Sequence, residues 1–302
     1  MKSIVSLFII LLLLLTGCTK PNLPLKHQLP SSCIIYDMKQ ARCIDDRELV
    51  KRLAPYRVVF VGDHHAQTDL HQKLAEFITR LDRAGRHVSL ANEWFTPEDD
   101  SLLAQYAKGS FKGDFPQAVE WKKKAGYAFA SYDIMYNAIC KAHGGLYGIN
   151  LSRESRKRIS DANRSVMTRE EKDFYDSLDL NVAAHRQMLT PFFAHCHSSR
   201  KDEDAASCSE RMYRVQVAWD SYMAKESVAL VSRVEHRRSD LLIVFAGSMH
   251  FSYGLGINAR FARLSREPFV TIKPIPIGTD TADVGEADFL LFYAPSQQSS
   301  KK

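Results

Sequence analysis

Apolar and polar positions along this chain fall into short apolar runs separated by longer amphipathic stretches. Val58–Val61, Val88–Ala91, Gly145–Asn150, Leu241–Ala246 and Phe269–Pro276 are short runs, several of them rich in Val and Ile, with the length and composition of buried strands. Between them, Thr68–Arg83 and Tyr132–Ala142 repeat their apolar residues at helical spacing. Strands alternating with helices predict an α/β fold with a central, mostly parallel sheet flanked by helices. Residues 160–238 break the alternation. They carry charged helical stretches, TREEKDFYDSL and SERMYRVQVAWDSYMAKESVALVSRV, around the polar loop HCHSSRKDEDAASC. The expectation is a smaller helical subdomain at 160–238, inserted into an α/β domain made of 46–159 and 239–294.

The ends of the chain read differently. MKSIVSLFIILLLLLTGC has one early Lys, an apolar stretch too short to span a bilayer comfortably, and a small-residue cleavage site before Cys18. This predicts a lipoprotein signal peptide at 1–17, acylation of Cys18 (palmitate among the chains) and a lipid-anchored tether over 18–45. Lys20, rather than an aspartate that would retain a lipoprotein in the inner membrane, makes the outer membrane of a Gram-negative cell the expected address. Residues 295–302 read as a frayed tail.

Composition adds limits more than direction. With 302 residues and 45% hydrophobic composition the chain can bury a full core. The formal charge of +6 is mild, and no Lys/Arg block is long enough to suggest nucleic acid as a partner. Beyond Cys18, the close spacings of Cys33 with Cys43 and of Cys196 with Cys208 suit two local disulfides in an oxidising compartment, leaving Cys140 free. Zinc binding by these cysteines lacks a C-x-x-C pair.

Candidate chemistry collects where the apolar runs end. VGDHH (61–65) and AGSMH (246–250) each set a histidine three residues past a glycine directly after such a run, and Glu93 in NEWF follows a third. In open parallel sheets ligands bind past the carboxyl ends of the strands, so His65, His250 and Glu93 are expected to share one crevice. Either histidine alone reads as well as a helix cap or a partner for a buried carbonyl. Trp121 and Trp219 are assigned to packing.

The order of motifs VGDHHAQTDLHQ, NEWFTPEDDSLLAQYAKGSF, Trp121, YDIMYNAICKAHGGLYGINLSRE, VQVAWDSYMA and FAGSMHFSYGLGINARFAR resembles the ChaN-like haem-binding family, within the Tiki/TraB/erythromycin-esterase group. The similarity runs from about Arg57 to Arg263. It implies a lipoprotein for haem or iron uptake or storage, with a parallel-sheet domain and a smaller helical one. Residue by residue, it matches Gly62/His65, Gly247/His250, Glu93 and Asn150/Arg153 to the family's positions. Asp63 stands where Glu is common and Asn258 where Pro is frequent, and the first departure weakens a paired-glutamate metal site.

Haem is then the implied cofactor. An extracytoplasmic carrier holds ferric haem through tyrosinate or histidine with cations near the propionates. Tyr253, three residues past His250, is the expected iron ligand, with a nearby His or Arg lowering its phenol pKa. Tyr132, Tyr136 and Tyr147 are rivals, although Tyr132 and Tyr136 share a helix face that serves equally as core. His64, His65, His250, Glu93 and Arg153 complete the candidate contacts. The implied partners are an outer-membrane haem receptor and, because haem has two large apolar faces, a second copy of the chain in a haem-linked homodimer. The alternative is a metal-dependent hydrolase in which His65, His250 and Glu93 hold a divalent ion. Neither H-E-x-x-H nor G-x-S-x-G is present.

Overall fold

The computed structural model describes residues 25–194, 196, 200, 203–233 and 240–295. The expected signal peptide, Cys18 and most of the tail lie outside the described residues. Among the described residues ten strands form two sheets: β1 (Lys26–Gln28), β2 (Ile35–Asp37), β3 (Arg42–Ile44), β4 (Val58–Asp63), β5 (His87–Asn92), β6 (Leu146–Gly148), β7 (Asp240–Gly247), β8 (Phe269–Pro276), β9 (Thr281–Asp283) and β10 (Phe289–Tyr293). The helices are α1 (Asp46–Arg52), α2 (Thr68–Arg83), α3 (Asp100–Ala107), α4 (Phe115–Ala118), α5 (Trp121–Lys124), α6 (Phe129–Lys141), α7 (Arg153–Asp161), α8 (Arg169–Asp176), α9 (Ala183–Phe193), α10 (Ala205–Arg233) and α11 (Ile257–Leu264).

The main sheet runs β3-β2-β10-β8-β4-β7-β5-β6. From β10 to β6 all neighbours are parallel, while β2 and β3 add an antiparallel edge. The α/β expectation therefore holds. Alternation along each central strand feeds two cores. Val59, Val61, Leu241, Ile243 and Phe245 face the α2/α6 side, whereas Val58, Phe60, Leu242, Val244 and Ala246 face the cluster that includes Met223 of α10 and Phe261 of α11. All eight residues of β7 are buried, which is why that segment reads as an unbroken apolar run.

One expectation needs correcting. Residues 26–44, inside the stretch assigned to a tether, contribute three strands: β1 pairs with β9, and β2 joins the main sheet against β10. The strands are three residues each, too short to leave a periodic signal. A disulfide between Cys33 and Cys43, with Cα atoms 5.6 Å apart, closes this edge, and another joins Cys196 to Cys208; Cys140 is free. Among the described residues the segment 153–233 holds helices α7 to α10 and no strand. No helix among them is long and apolar enough to cross a membrane.

Phe60 is fully buried and meets the rings of Phe251, Phe261 and Phe269 at centroid distances of 5.4, 5.4 and 5.2 Å. Phe60→Ala should lower unfolding stability by about 3–5 kcal/mol, read as a reduced urea midpoint at unchanged slope. A loss below about 1 kcal/mol would mean that this face of the sheet is loosely packed.

Candidate functional site

Three adjacent strand ends build the site. β4 ends on Asp63, β5 leads into Glu93, and β7 ends on Gly247, followed by a short turn of helix that carries His250. Parallel pairing of β4 with β7 sets Asp63 beside Gly247. Close approach explains the first glycine, since a Cβ on Gly62 would lie 2.6 Å from Ser248 Oγ and 2.9 Å from Pro274 Cδ. Ser248 Oγ in turn donates to the Asp63 carbonyl at 3.1 Å.

The buried carboxylates share their histidines, His65 lying between Asp63 and Glu93 and His250 between Glu93 and Asp220. Asp63 lies 2.7 Å from His65 Nδ1 and 3.0 Å from Nε2 of the fully buried His71, and accepts from the Tyr132 hydroxyl at 3.2 Å. Burial pushes the Asp63 carboxyl up, but its two histidines outweigh that and hold it below the ordinary range. Glu93 accepts from the Gly247 N–H at 2.9 Å and faces His250 Nε2 at 3.5 Å and His65 Nδ1 at 3.9 Å. Its burial dominates and its pKa is raised. His250 Nδ1 is 2.5 Å from Asp220 on α10 and 2.8 Å from Gln216 Nε2. Burial works against the imidazolium, yet Asp220 and Glu93 raise the His250 pKa. Asp220 also meets His185 of α9 at 3.3 Å and Arg260 of α11 at 3.7 Å.

Two clefts flank this cluster and share His65, Met249 and His250. One, about 890 Å³, has an apolar wall of Met188, Pro191 and Phe192 on α9 facing Leu255 and Tyr253, with His64 and Lys273 at its base. The other, about 770 Å³, is polar and holds Glu93, Trp94, Asn150, Arg153, Arg156 and Trp219, with the Arg156 guanidinium over the Trp219 ring at 5.4 Å.

A family model described as haem-binding uptake, Tiki superfamily, ChaN, matches residues 49–261. The chain belongs to this ChaN family. No curated protein matches it. Among solved structures it is similar to ChaN of Campylobacter jejuni, described by its cofacial haem binding, with a TM-score of 0.63, 18% identity, and coverage of 86% of this chain and 96% of that one. It is similar more distantly to a mutant erythromycin esterase in its open conformation, with a TM-score of 0.46 and 13% identity over 87% of this chain and 83% of that one. The type III effector HopBA1 follows, with a TM-score of 0.45, 18% identity, and coverage of 83% and 94%. At these identities the likenesses concern the fold.

Against this ChaN frame the expected residues separate. His64, His65, His250 and Tyr253 line the apolar cleft, and Glu93 and Arg153 line the polar one. Tyr132 and Tyr136 do not reach either: both are fully buried, Tyr132 hydroxyl-bonded to Asp63 and Tyr136 accepting from Asn92 Nδ2 at 2.8 Å. Burial raises both phenols, so they serve as packed supports. Tyr147 lines neither cleft, and burial raises its phenol too. Tyr253 carries a second correction. Its hydroxyl donates to Asp283 at 2.6 Å, and burial together with that carboxylate pushes its pKa up to about 12 where a lowering was expected. The expected metal trio is also altered. Asp63, His65 and Glu93 bring their ligand atoms within 4.8 Å of one another, whereas His250 is not part of that group and has its Nδ1 committed to Asp220. Trp121 is packed as expected, and Trp219 packs against two core clusters while also lining the polar cleft.

Sequence reasoning missed Asp220, His185, His71 and Asp283. His71 is visible within VGDHHAQTDLHQ and Asp220 within VQVAWDSYMA; His185 and Asp283 sit in helical and short-strand contexts with no local signal.

Asp220→Asn should cost about 3 kcal/mol or more, because it strands a buried imidazolium and guanidinium. The pH dependence identifies the pair. A histidine whose folded pKa is raised stabilises fully below its ordinary range, and that contribution fades as pH climbs through the folded value. Wild-type stability, followed by urea unfolding, should therefore decline on that alkaline side and the variant's should not. Equal slopes would place the proton elsewhere.

Proposed function

We propose that this chain binds haem as cargo, the apolar cleft holding the porphyrin and Arg153 and Arg156 its propionates. The adjacency of the two clefts carries this reading: an apolar slot and a polar slot, in which Lys123, Arg153 and Arg156 stand among the carboxylates Glu98, Glu120 and Glu154, share the His65–Met249–His250 ridge. Haem is an apolar disc edged by two carboxylates, so one molecule needs both surfaces. The donor set fits it. Met188, Pro191, Phe192 and Leu255 supply apolar contact, and neither arginine is committed to a carboxylate among the hydrogen bonds and ion pairs of the described residues.

Tyr253 is our candidate for the iron ligand. It stands 37% exposed at the rim of the apolar cleft. Its backbone is left-handed, with φ 57° and ψ 17°, a conformation that costs a bulky residue on the order of 1–3 kcal/mol and collects at functional positions. Bound haem supplies a ferric centre that takes phenolate oxygen. The phenol proton must leave for this, and Asp283 is the carboxylate in contact to receive it. His64 is a second donor. Burial and then Lys273 hold its pKa down, so its imidazole is neutral at pH 7.

In the same reading Cys18 carries the acyl chains, palmitate among them, that anchor the mature protein to the outer membrane, where a haem receptor supplies or accepts the cargo. The exposed Phe192 and Tyr253 rings at an open cleft support a homodimer closed around haem.

Ferric haem titrations of the full chain followed at the Soret band test the site. Affinity should rise from about pH 6 to about pH 8, because capture displaces a proton that the phenol otherwise keeps until far higher pH. Tyr253→Phe should shift the Soret band and flatten that slope. A Soret band and slope identical to wild type would move the ligand to His64, and no saturable spectral change in the wild type would end the haem reading.

Sedimentation with and without haem tests assembly. Ligand that binds two copies better than one must strengthen association as it is added, so a monomer at saturating haem would leave a single-chain site.

A further inference from the structure

The rim of the apolar cleft is tied to the place where the described chain begins. Tyr253 donates to Asp283, and Asp283 lies in β9 of the small ribbon formed with β1. Lys26 of β1 approaches the same carboxylate at 3.9 Å. One step further along the ribbon, the Val284 N–H donates to the Leu25 carbonyl at 2.7 Å. Leu25 is 79% exposed and Val284 44% exposed. The ribbon therefore ends in two uncovered apolar side chains beside a lysine, and Tyr253 is joined to it by one hydrogen bond.

The chain outside the structure says what covers this end. Cys18, the residue read as the acylation site, precedes Leu25 by seven positions. Seven residues reach about 25 Å at full extension. A domain of this length has a radius of gyration of roughly 18 Å and is therefore nearly 50 Å across. A lipid attached at Cys18 cannot pass to the opposite side, so the bilayer it enters lies against the Leu25 end. Two exposed apolar side chains with a neighbouring lysine suit that surface, the apolar groups entering the acyl boundary and the ammonium staying among headgroups.

We propose that the β1–β9 ribbon rests on the bilayer to which Cys18 is attached, and that the apolar cleft exchanges its porphyrin with that bilayer instead of with bulk water. The inference rests on the haem and anchor readings above. Haem partitions into lipid for the same reason that it suits the cleft, and a cleft rim tethered to the membrane-facing ribbon shortens the transfer to a step that avoids water.

Acylated full-length chain on vesicles of phosphatidylethanolamine and phosphatidylglycerol supplies the test. Leu25→Trp should show a blue-shifted emission that is quenched by brominated acyl chains in the vesicles, above the background of the native tryptophans. Emission that ignores the lipid, or that shifts only as protein concentration rises without lipid, would overturn the proposal, the latter by assigning the ribbon to a second copy. Haem preloaded in the vesicles should pass to the wild type at least about tenfold faster than to a Leu25→Asp/Val284→Asp double variant, while haem offered in solution binds both equally. Equal transfer rates would overturn the exchange route and leave haem binding intact. Failure of every variant to bind haem would sink the haem reading alone, because the quenching result judges the ribbon independently.

Discussion

A largely buried carboxylate on the lining of the polar cleft governs the centre of this molecule. Glu93 sits at the end of β5 with its charge facing His250 and His65 and its oxygen held by the Gly247 N–H. An ionised group left unpaired in such a place is far more costly than any single packing contact. The surrounding residues are arranged to prevent that. Asp63 and Asp220 meet the same requirement on either side, each by taking a histidine that also faces Glu93. Asp63 and Glu93 stand close enough to repel, with ligand atoms within 4.8 Å of each other, and His65 lies against both.

That arrangement decides what the two Gly-x-x-His steps do. His65 and His250 are neither free ligands nor simple caps; each has one nitrogen committed to a carboxylate. They form the ridge on which the apolar and polar clefts meet. The His250 side of the ridge is the stiffer one, because its contacts to Asp220 and Gln216 are buried, whereas the His65 side chain is 34% exposed.

Legibility in the sequence follows range. The central strands announce themselves because β4, β7 and β8 are buried on both faces, and such burial leaves continuous apolar runs. The two Gly-x-x-His steps and Glu93 are legible because strand ends in a parallel sheet are where loops converge. Asp220 falls within VQVAWDSYMA, but its role was not legible, since nothing local ties it to His250, thirty residues away in sequence, until α10 packs beside that histidine. The short edge strands β2 and β3 were hidden for another reason. Three residues cannot show a period, and their pairing depends on β10, more than 240 residues distant. Tyr253 lay between these extremes. Its position at the crevice was readable, but its pKa was not, because the deciding neighbour, Asp283, comes from a strand of three residues with no signature of its own.

The placement of α9 follows from the same desolvated chemistry. This helix carries the apolar wall Met188, Pro191 and Phe192, and yet its His185 is fully buried against Asp220, the carboxylate that also orients His250. Wall and ridge thus share one anchor. A helix held only by apolar contacts can slide along a neighbouring surface at little cost, because dispersion and burial are non-directional. The buried His185–Asp220 pair, 3.3 Å apart, adds an electrostatic preference for one placement of α9. The Asp220 contacts reach α9 through His185 and α11 through Arg260, so the wall of the apolar cleft and the orientation of His250 on the ridge share one carboxylate. A substitution that releases the ridge therefore also releases the wall, and the two clefts change together.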